Sequence, residues 1–416
     1  MLLIQSCIYK YLPYTNKYIY PKYMENNGRL SGHTDLSLRE VLAELKKVAE
    51  TTFEKAVPVP AAVNHSIEFF KHEMKSIFMK EWICIGRNDE LSAAGDFLTQ
   101  EIAGISVIVV RQKDGSIRAF INACAHRFAR LLQEEKGNTK RFTCPYHAWT
   151  YDIGGDLVRA PYMEMKRGFD KAKNGLRRLF VESWEGFIYV NLSKIQPKSI
   201  TSRLYSLREN VVGRYDMSCY KTVMRKTMIW DANWKNLIEN FTESYHVPIA
   251  HKKTFALHKK PLEDYYCGET NDHYCYHQAV QDADTGSGAA HLKNHRLKDN
   301  WRRTMVDFCI FPCQLITLMP DFLWYITVLP LGVGQFKATW GVAIPPEILK
   351  EIKAQDYKKW LADLSNYMDI ANDEDKILVQ ALNQGSAATI LPKGCLHPIE
   401  KNLWQFTQYL SRMCQT

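Results

Sequence analysis

Two short cysteine–histidine motifs, Cys124-Ala-His126 and Cys144-Pro-Tyr-His147, constrain this chain more than any other feature, and seventeen residues separate them. Each motif is short enough for one tight loop, so each loop can offer one thiolate and one imidazole to a shared centre. Two thiolates on one iron and two imidazoles on the other are a known [2Fe–2S] ligand set, in which the neutral histidines raise the reduction potential. The motifs therefore predict such a cluster, held by Cys124, His126, Cys144 and His147.

Zinc is the alternative occupant of a site with two cysteines and two histidines. Zinc fingers, however, usually pair Cys with Cys and His with His, beside a small helix. This stretch is flanked instead by β-branched and aromatic runs such as ISVIVVRQ (105–112) and GFIYVNL (186–192), with turns between them. The pattern predicts a small β domain over about 82–192 and favours the iron–sulfur cluster.

The rest of the chain predicts a second, mixed domain. With 416 residues, 46% of them hydrophobic, the chain is long enough for two domains. Periodicity and start and stop signals predict these further elements: helices over 35–52, 66–80, 204–215, 233–246 and 347–384, and strands over 220–230, 305–310, 314–319, 323–330 and 335–344.

The expected fold class is α+β, a small all-β domain plus a larger domain in which helices flank an antiparallel sheet. The expected boundaries are an N-terminal extension and helix over 1–60, the all-β domain with its leading helix over 61–195, and the larger domain over 196–416. Residues 282–300 are polar and Gly-rich, which is typical of a mobile loop or lid.

Composition excludes several classes of protein. No apolar run reaches the roughly 18–20 residues that cross a bilayer, and the start is interrupted by Lys10, Pro13 and Lys17, unlike a secretory signal. Eleven irregularly spaced cysteines indicate the reducing cytoplasm. The net charge of +9 comes from dispersed basic residues, which argues against nucleic-acid binding and suits docking of an acidic electron donor.

Glu243, His246 and His251 form a second group of metal-binding residue types. On the predicted helix, positions three apart share a face, and Pro248 bends the chain so that His251 can return to the same point. Two imidazoles with one distant carboxylate make the facial triad of non-haem Fe(II) enzymes. Alone, a pair of histidines five residues apart is more often polar surface or a satisfied core contact. The cluster motifs upstream make a metal centre the favoured interpretation.

Together these motifs resemble the catalytic α subunits of Rieske non-haem iron oxygenases, the ring-hydroxylating oxygenase family, over roughly residues 60–390. The runs NWK (233–235), EN (239–240) and YHVP (245–248) strengthen the resemblance. It implies that the all-β domain is a Rieske domain and that 196–416 is the catalytic mononuclear iron domain. The site residues it implies are Cys124, His126, Cys144 and His147 for the cluster, His246, His251 and Asp375 for the iron, and Glu243 as the acid that links the two centres.

The third iron ligand is the least constrained of these residues. The family's Glu-Asp pair aligns with Glu374-Asp375 in NDEDKILVQALNQG (372–385), which makes Asp375 the expected ligand. Helical periodicity places Glu374 nearly as well, and Asp373 is the fallback. A plain carboxylate near a helix N-terminus is the alternative for Asp375.

The resemblance implies an oxygenase component that hydroxylates or oxidatively demethylates a small organic substrate with O₂. Electrons would come from NAD(P)H through a separate ferredoxin or flavin/iron–sulfur reductase, since the chain shows neither a Gly-rich nucleotide fingerprint nor a four-cysteine ferredoxin spacing. A homotrimer is implied, in which the cluster of one subunit faces the iron of its neighbour. The non-enzyme alternative, a Rieske electron carrier, would not need the roughly 220 residues that follow the cluster domain.

Two departures from the family pattern matter. Phe128 stands where members often have Gly, so the loop must avoid positive φ there or bear strain. Glu243 replaces the usual Asp, as in the branch that acts on quaternary ammonium compounds such as carnitine.

Two substrate classes remain open, a quaternary or methylated amine and an aromatic ring. Stacked aromatic side chains can hold a trimethylammonium group by cation–π attraction, although they more often fill a core. The candidates in the catalytic domain are Trp301, Phe308, Trp324, Tyr325 and Trp340.

Overall fold

The structure is a computed structural model that describes residues 36–255, 261–269, 271–282, 288–388 and 394–415. The N-terminal extension and the centre of the predicted lid, 283–287, lie outside the described residues.

The first half of the described chain is built mainly of strands. Its strands are β1 (Ile83–Arg87), β2 (Asp96–Ile102), β3 (Ile105–Arg111), β4 (Ile117–Ile121), β5 (Lys136–Asn138), β6 (Arg141–Thr143), β7 (Thr150–Asp152), β8 (Leu157–Arg159), β9 (Arg178–Trp184) and β10 (Phe187–Asn191). They form an antiparallel sheet of order β1-β10-β9-β4-β3-β2-β5 and a small sheet β6-β7-β8.

The β3 strand shows why this half needs so many apolar residues. Successive side chains of a strand point to opposite faces, and both faces of β3 are covered. Val107 and Val109 enter the large core shared with the rest of the molecule. Ile108 and Val110 enter a second core that contains Cys124 and Cys144. The sheet thus forms the floor beneath both cysteine–histidine loops.

The second half contains one larger antiparallel sheet. Its strands are β11 (Lys221–Trp230), β12 (Tyr266–Cys267), β13 (Tyr274–Val280), β14 (Thr304–Ile310), β15 (Gln314–Met319), β16 (Phe322–Gly332) and β17 (Gln335–Ile344). The strand order is β11-β17-β16-β15-β14-β13-β12. Each pair of neighbouring strands is also consecutive in sequence, except the pair β11 and β17.

The described part of the chain also contains α-helices. They are α1 (Leu38–Ala49), α2 (Ala61–His65), α3 (Ile67–Glu73), α4 (Ile200–Arg203), α5 (Tyr205–Asn210), α6 (Trp234–Phe241), α7 (Val247–Ala250), α8 (Pro346–Leu349), α9 (Ala354–Gly385) and α10 (Lys401–Cys414). The α6 helix packs against β16, α9 and α10, and α10 also packs against α1 and β13. Among the described helices, none is both long and apolar enough to cross a membrane. The predicted α+β class is confirmed.

One predicted helix was wrong at its C-terminal end. The helix expected over 233–246 stops at Phe241. The Thr242 hydroxyl donates to the Ile238 carbonyl at 2.8 Å, and Glu243 Oε2 accepts the backbone N–H groups of Tyr245 and His246. Side chains that bond the local backbone in this way compete with the helix. Glu243 and His246 therefore meet across a turn rather than along a helix face.

Candidate functional site

Three side chains meet at one point on the helical side of the larger sheet. His246 and His251 flank the short helix α7, and Asp375 lies on the long helix α9. One ligand atom from each lies within 4.8 Å of the other two. Asp375 Oδ1 is 3.1 Å from His251 Nε2 and 3.5 Å from His246 Nε2. Pro248 stands in the first turn of α7. Backbone N–H groups of the first turn have no partner within a helix, so the N–H that proline lacks is not missed there.

A glutamate carboxylate contacts the Nδ1 atom of each of the two imidazoles. His246 Nδ1 lies 2.5 Å from Glu243 Oε1, and His251 Nδ1 lies 3.2 Å from Glu374 Oε2. An ionised carboxylate only accepts hydrogen bonds, so each Nδ1 carries the proton. With Nδ1 protonated, Nε2 is the nitrogen of each ring that faces Asp375, and it would offer its lone pair to a metal ion bound in place of a second proton. This is the arrangement in which proteins orient metal-binding histidines.

The electrostatics of the three groups also fit a cation. Burial lowers the pKa of His246, but the carboxylates of Asp375 and Glu243 outweigh burial and raise it to about 10. Burial raises the pKa of Asp375, but His246 and His251 outweigh burial and lower it. Asp375 Oδ1 is buried without a well-aligned hydrogen bond. Two imidazole nitrogens and one such carboxylate oxygen suit a divalent first-row metal such as Fe(II).

The three neighbouring acidic side chains of α9, at positions 373–375, make different contacts. Glu374 is engaged by His251, by the Thr254 hydroxyl at 2.5 Å and by the Lys253 N–H at 3.0 Å. Asp373 lies on the exposed side of the helix. Of the three, Asp375 is the one that reaches both imidazoles.

The cysteine–histidine loops are built alike. In the first, Phe128 N–H donates to the Cys124 carbonyl and Cys124 N–H donates to the Ala129 carbonyl, each at 2.9 Å. In the second, Ala148 and Trp149 make the same pair of bonds with Cys144, at 3.1 and 2.8 Å.

Both loops require left-handed backbone at the fourth residue after the cysteine. Phe128 has φ = 63° and Ala148 has φ = 53°. Of the two outcomes expected at Phe128, the loop bears the strain, which costs a non-glycine residue of the order of 1 kcal/mol or more. The phenyl ring is 80% exposed, so packing of the ring does not offset this cost.

The four predicted cluster residues differ in solvent exposure. Cys124 and Cys144 are buried, whereas His126 and His147 are exposed, with their ring centroids 4.8 Å apart. Burial raises the pKa of the Cys124 thiol, and a bound metal ion would stabilise the thiolate. Buried sulfurs and outward-facing imidazoles fit a [2Fe–2S] cluster with its histidine iron at the surface.

Tyr151 is a residue at this site that the sequence patterns did not single out. Its hydroxyl accepts the Ala125 N–H at 3.0 Å and lies 3.2 Å from Cys124 Sγ. With its acceptor side occupied by Ala125, the hydroxyl proton can point at the sulfur. Hydrogen bonds to cluster sulfurs raise the reduction potential. The only sequence signal was an aromatic residue in strand β7, which is ordinary for a strand.

A cavity of about 220 Å³ opens beside His246, His251 and Asp375. Of the five aromatic residues predicted for a pocket, Trp324 lines it. Phe308, Tyr325 and Trp340 fill the cores instead, and Trp301 packs against Tyr215. Aromatic lining residues that the sequence patterns missed are Phe241, Phe255, Tyr265, Phe322, Trp360 and Tyr367. Gly288 and His291, from the described end of the predicted lid, also line the cavity.

Known protein families match both halves of the chain. Residues 81–179 match the Rieske [2Fe–2S] domain, and residues 216–416 match the catalytic domain of the ring hydroxylating alpha subunit. The carnitine monooxygenase oxygenase subunit of Escherichia coli (strain K12) is 35% identical over 199 residues, which are 48% of this chain and 53% of that protein. The glycine betaine monooxygenase oxygenase subunit of Pseudomonas aeruginosa (strain UCBPP-PA14) is 36% identical over 213 residues, 51% and 48% of the two chains. The matches thus span about half the length of these curated relatives.

Solved structures resemble the whole described architecture. The quaternary ammonium Rieske monooxygenase CntA in complex with L-carnitine has a TM-score of 0.73 at 24% identity, and the match covers 86% of this chain and 96% of that one. Naphthalene 1,2-dioxygenase from Rhodococcus sp. has a TM-score of 0.75 at 20% identity, with 91% and 98% covered. At these identities the likeness shows the fold alone.

Proposed function

Since the chain belongs to the Rieske-type α subunits of ring-hydroxylating oxygenases, we propose that it hydroxylates or oxidatively demethylates a small quaternary ammonium compound with O₂. The family predicted from the two motifs is confirmed by both matched domains, and with it the pair of cofactors, a Rieske [2Fe–2S] cluster and a mononuclear iron.

The convergence of His246 Nε2, His251 Nε2 and Asp375 Oδ1 beside the cavity carries this proposal. A ferrous ion held there would supply the binding and reductive activation of O₂. The cavity holds the substrate next to these ligand atoms and excludes bulk water with its aromatic walls. Glu243 and Glu374 keep both imidazoles in the tautomer that the ion requires.

We propose that electrons leave the cluster through His126 or His147, the exposed imidazoles of the cluster loops. Glu243, bonded to His246 Nδ1, would receive them at the iron side from the cluster of a neighbouring subunit in a homotrimer. A separate NAD(P)H-dependent reductase or ferredoxin would reduce the cluster.

Three observations support a quaternary ammonium substrate. Glu243 stands where Asp is usual in the family, both curated relatives described above are named for trimethylammonium compounds, and the cavity is small and rich in aromatic side chains. An aromatic ring is the second candidate, because the alpha subunit of biphenyl 2,3-dioxygenase from Rhodococcus jostii (strain RHA1) is 31% identical over 225 residues.

An oxygen-uptake assay with a surrogate reductase tests the proposal. Choline, glycine betaine and carnitine are compared with aromatic acids, and products are identified. We expect coupled O₂ uptake with an ammonium compound and release of an aldehyde, formaldehyde or a free amine. A cis-diol or phenol as the coupled product, with none from any ammonium compound, would establish the second candidate instead.

A further inference from the structure

We propose that Asp307 is the counter-ion for the positively charged nitrogen of the substrate, and that the substrate is a net cation rather than a zwitterion. This inference rests on the proposed function in one respect, that the cavity beside the metal-binding residues is the substrate site.

Asp307 belongs to a row of side chains that crosses four neighbouring strands. His277 on β13 is paired with Asp307 on β14, Asp307 with Thr317 on β15, and Thr317 with Trp324 on β16. Directly paired residues of antiparallel strands project from the same face, and all four line the cavity. Ser244 Oγ, from the turn between Glu243 and His246, lies 2.8 Å from His277 Nε2. This contact ties the row to the metal-binding turn.

The described partners of the Asp307 carboxylate are neutral groups, so none of them offsets a negative charge on it. The Thr317 hydroxyl donates to Oδ1 at 2.5 Å, and His277 Nε2 lies 3.2 Å from Oδ2. Asn402 Nδ2 donates to the Thr242 carbonyl at 3.0 Å and lies 3.3 Å from His277 Nδ1. A carbonyl can only accept, so the amide N–H₂ side faces Nδ1, which therefore accepts. The imidazole is then neutral, with its proton on Nε2.

Away from the metal-binding residues, the carboxylates of the cavity wall have no lysine or arginine beside them in the lining. Among the described lining residues the acids are Glu243, Asp307, Asp321, Glu351 and Asp375, and neither lysine nor arginine occurs. Glu243 and Asp375 are occupied by the metal-binding histidines. Asp321 accepts the His291 N–H at 2.7 Å and the Asn294 amide at 3.1 Å, which are neutral donors as well. A substrate carboxylate would meet repulsion here, whereas an ammonium group would meet attraction.

Trp324 gives the row its selectivity for an alkylated cation. A trimethylammonium group has no N–H to donate, so its recognition depends on nearby anions and on aromatic faces. Trp324 lies two strands from Asp307 in the row and contacts Phe241 and Phe255, with ring centroids 6.0 Å away in each case. An anion and a group of rings on one wall thus match the two requirements of such a cation.

The test measures binding in the full-length, iron-loaded protein without O₂ or reductase, by titration calorimetry. The ligands are choline, its uncharged carbon isostere 3,3-dimethylbutan-1-ol, and glycine betaine. In Asp307→Asn, which keeps the shape and the Thr317 contact, we expect the Kd of choline to rise by about ten- to a hundredfold. The Kd of the alcohol should change less than about threefold, which also reports an intact cavity. Asp373→Asn, at an exposed position of α9, is the charge-matched control and should leave both Kd values unchanged.

Several results would overturn the inference. Equal weakening of choline and the alcohol in Asp307→Asn would assign Asp307 a structural role only. Wild-type protein that binds glycine betaine more tightly than choline, or does not bind choline, would exclude the net cation whether or not the variant folds. Because no turnover is measured, choline that binds through Asp307 but is not oxidised would contradict the proposed function and leave the counter-ion in place.

Discussion

Glu243 and Glu374 occupy equivalent positions behind the two histidines, yet they face different surroundings. Glu374 is enclosed by Thr254 and Lys253, within one subunit. Glu243 lies in a turn beside Tyr245, whose side chain is half exposed. Both can fix an imidazole tautomer and both side chains are largely buried, with 10% of Glu243 and 13% of Glu374 exposed, but of the two it is Glu243 that lines the cavity.

Glu243→Gln is expected to keep both metal centres and to lose about ten- to a hundredfold in turnover, since the carboxylate orients His246 and links the centres. Iron analysis and steady-state O₂ uptake with a proven substrate measure the two effects. Glu374→Gln is the matched control, and we expect it to weaken iron binding more than turnover at saturating iron. Near-normal turnover of Glu243→Gln would contradict the linking role.

Asp375→Ala is expected to lower the iron content from about three per chain to about two, because the site loses its anionic ligand while the cluster is untouched. Iron analysis gives the content, and the visible absorption of the cluster shows that it remains. Asp373→Asn should retain about three irons. Loss of iron from the Asp373 variant instead would make that fallback acid the ligand.

At the level of elements, the two cluster loops are short hairpin-like turns that need a left-handed residue in the same place. The loop at Cys144 meets this need with Ala148, whereas the loop at Cys124 uses the bulkier Phe128. The local geometry of a loop is thus retained even when its sequence is unfavourable, because the hydrogen bonds to the cysteine backbone constrain it.

Phe128→Gly is expected to stabilise the cluster domain by about 1 kcal/mol, since glycine adopts positive φ without steric cost. Thermal unfolding followed through the cluster absorption measures the change. Phe128→Leu removes the exposed ring but keeps the strain, so it should give little gain. An equal gain in both variants would show that the exposed ring, not the backbone, was unfavourable.

At the level of the whole molecule, a buried ion pair joins the N-terminal helices to the helix beside the metal-binding turn. Lys235 Nζ on α6 donates to Glu73 Oε1 at the end of α3, at 2.8 Å, and both side chains are fully buried. Burial raises the pKa of Glu73, and Lys235 opposes that shift. The NWK run noted in the sequence therefore anchors α6 against a segment more than 150 residues away.

Glu73→Gln is expected to lower the free energy of unfolding by about 3–5 kcal/mol, because the Lys235 ammonium is left buried and unpaired. Thermal unfolding measures the loss. The double variant Glu73→Gln/Lys235→Met removes the unpaired charge and should recover most of it. If the double variant is no more stable than Glu73→Gln, the unpaired charge is not the cause.

Much of this protein was predictable from its local sequence. The residues proposed for the cluster and the two histidines proposed for the iron stand within short spacings along the chain, and a spacing of two to five residues restricts where the side chains can go regardless of the fold. The β-branched and aromatic runs in segments such as 105–112 likewise predicted strands and, with the helical periodicity, the α+β class.

Contacts between distant segments required the folded structure. Asp375 lies 124 residues beyond His251, and Glu374 fits the same helical periodicity, so only the position of α9 against His246 and His251 distinguishes them. Trp324 lines the cavity while Tyr325, its neighbour in the chain, fills the core, because strand register decides which face each side chain takes. Asp307 shows no motif at all. Its proposed role follows from strand register, which pairs it with His277 and Thr317 on the cavity face and which no residue motif in the sequence indicates.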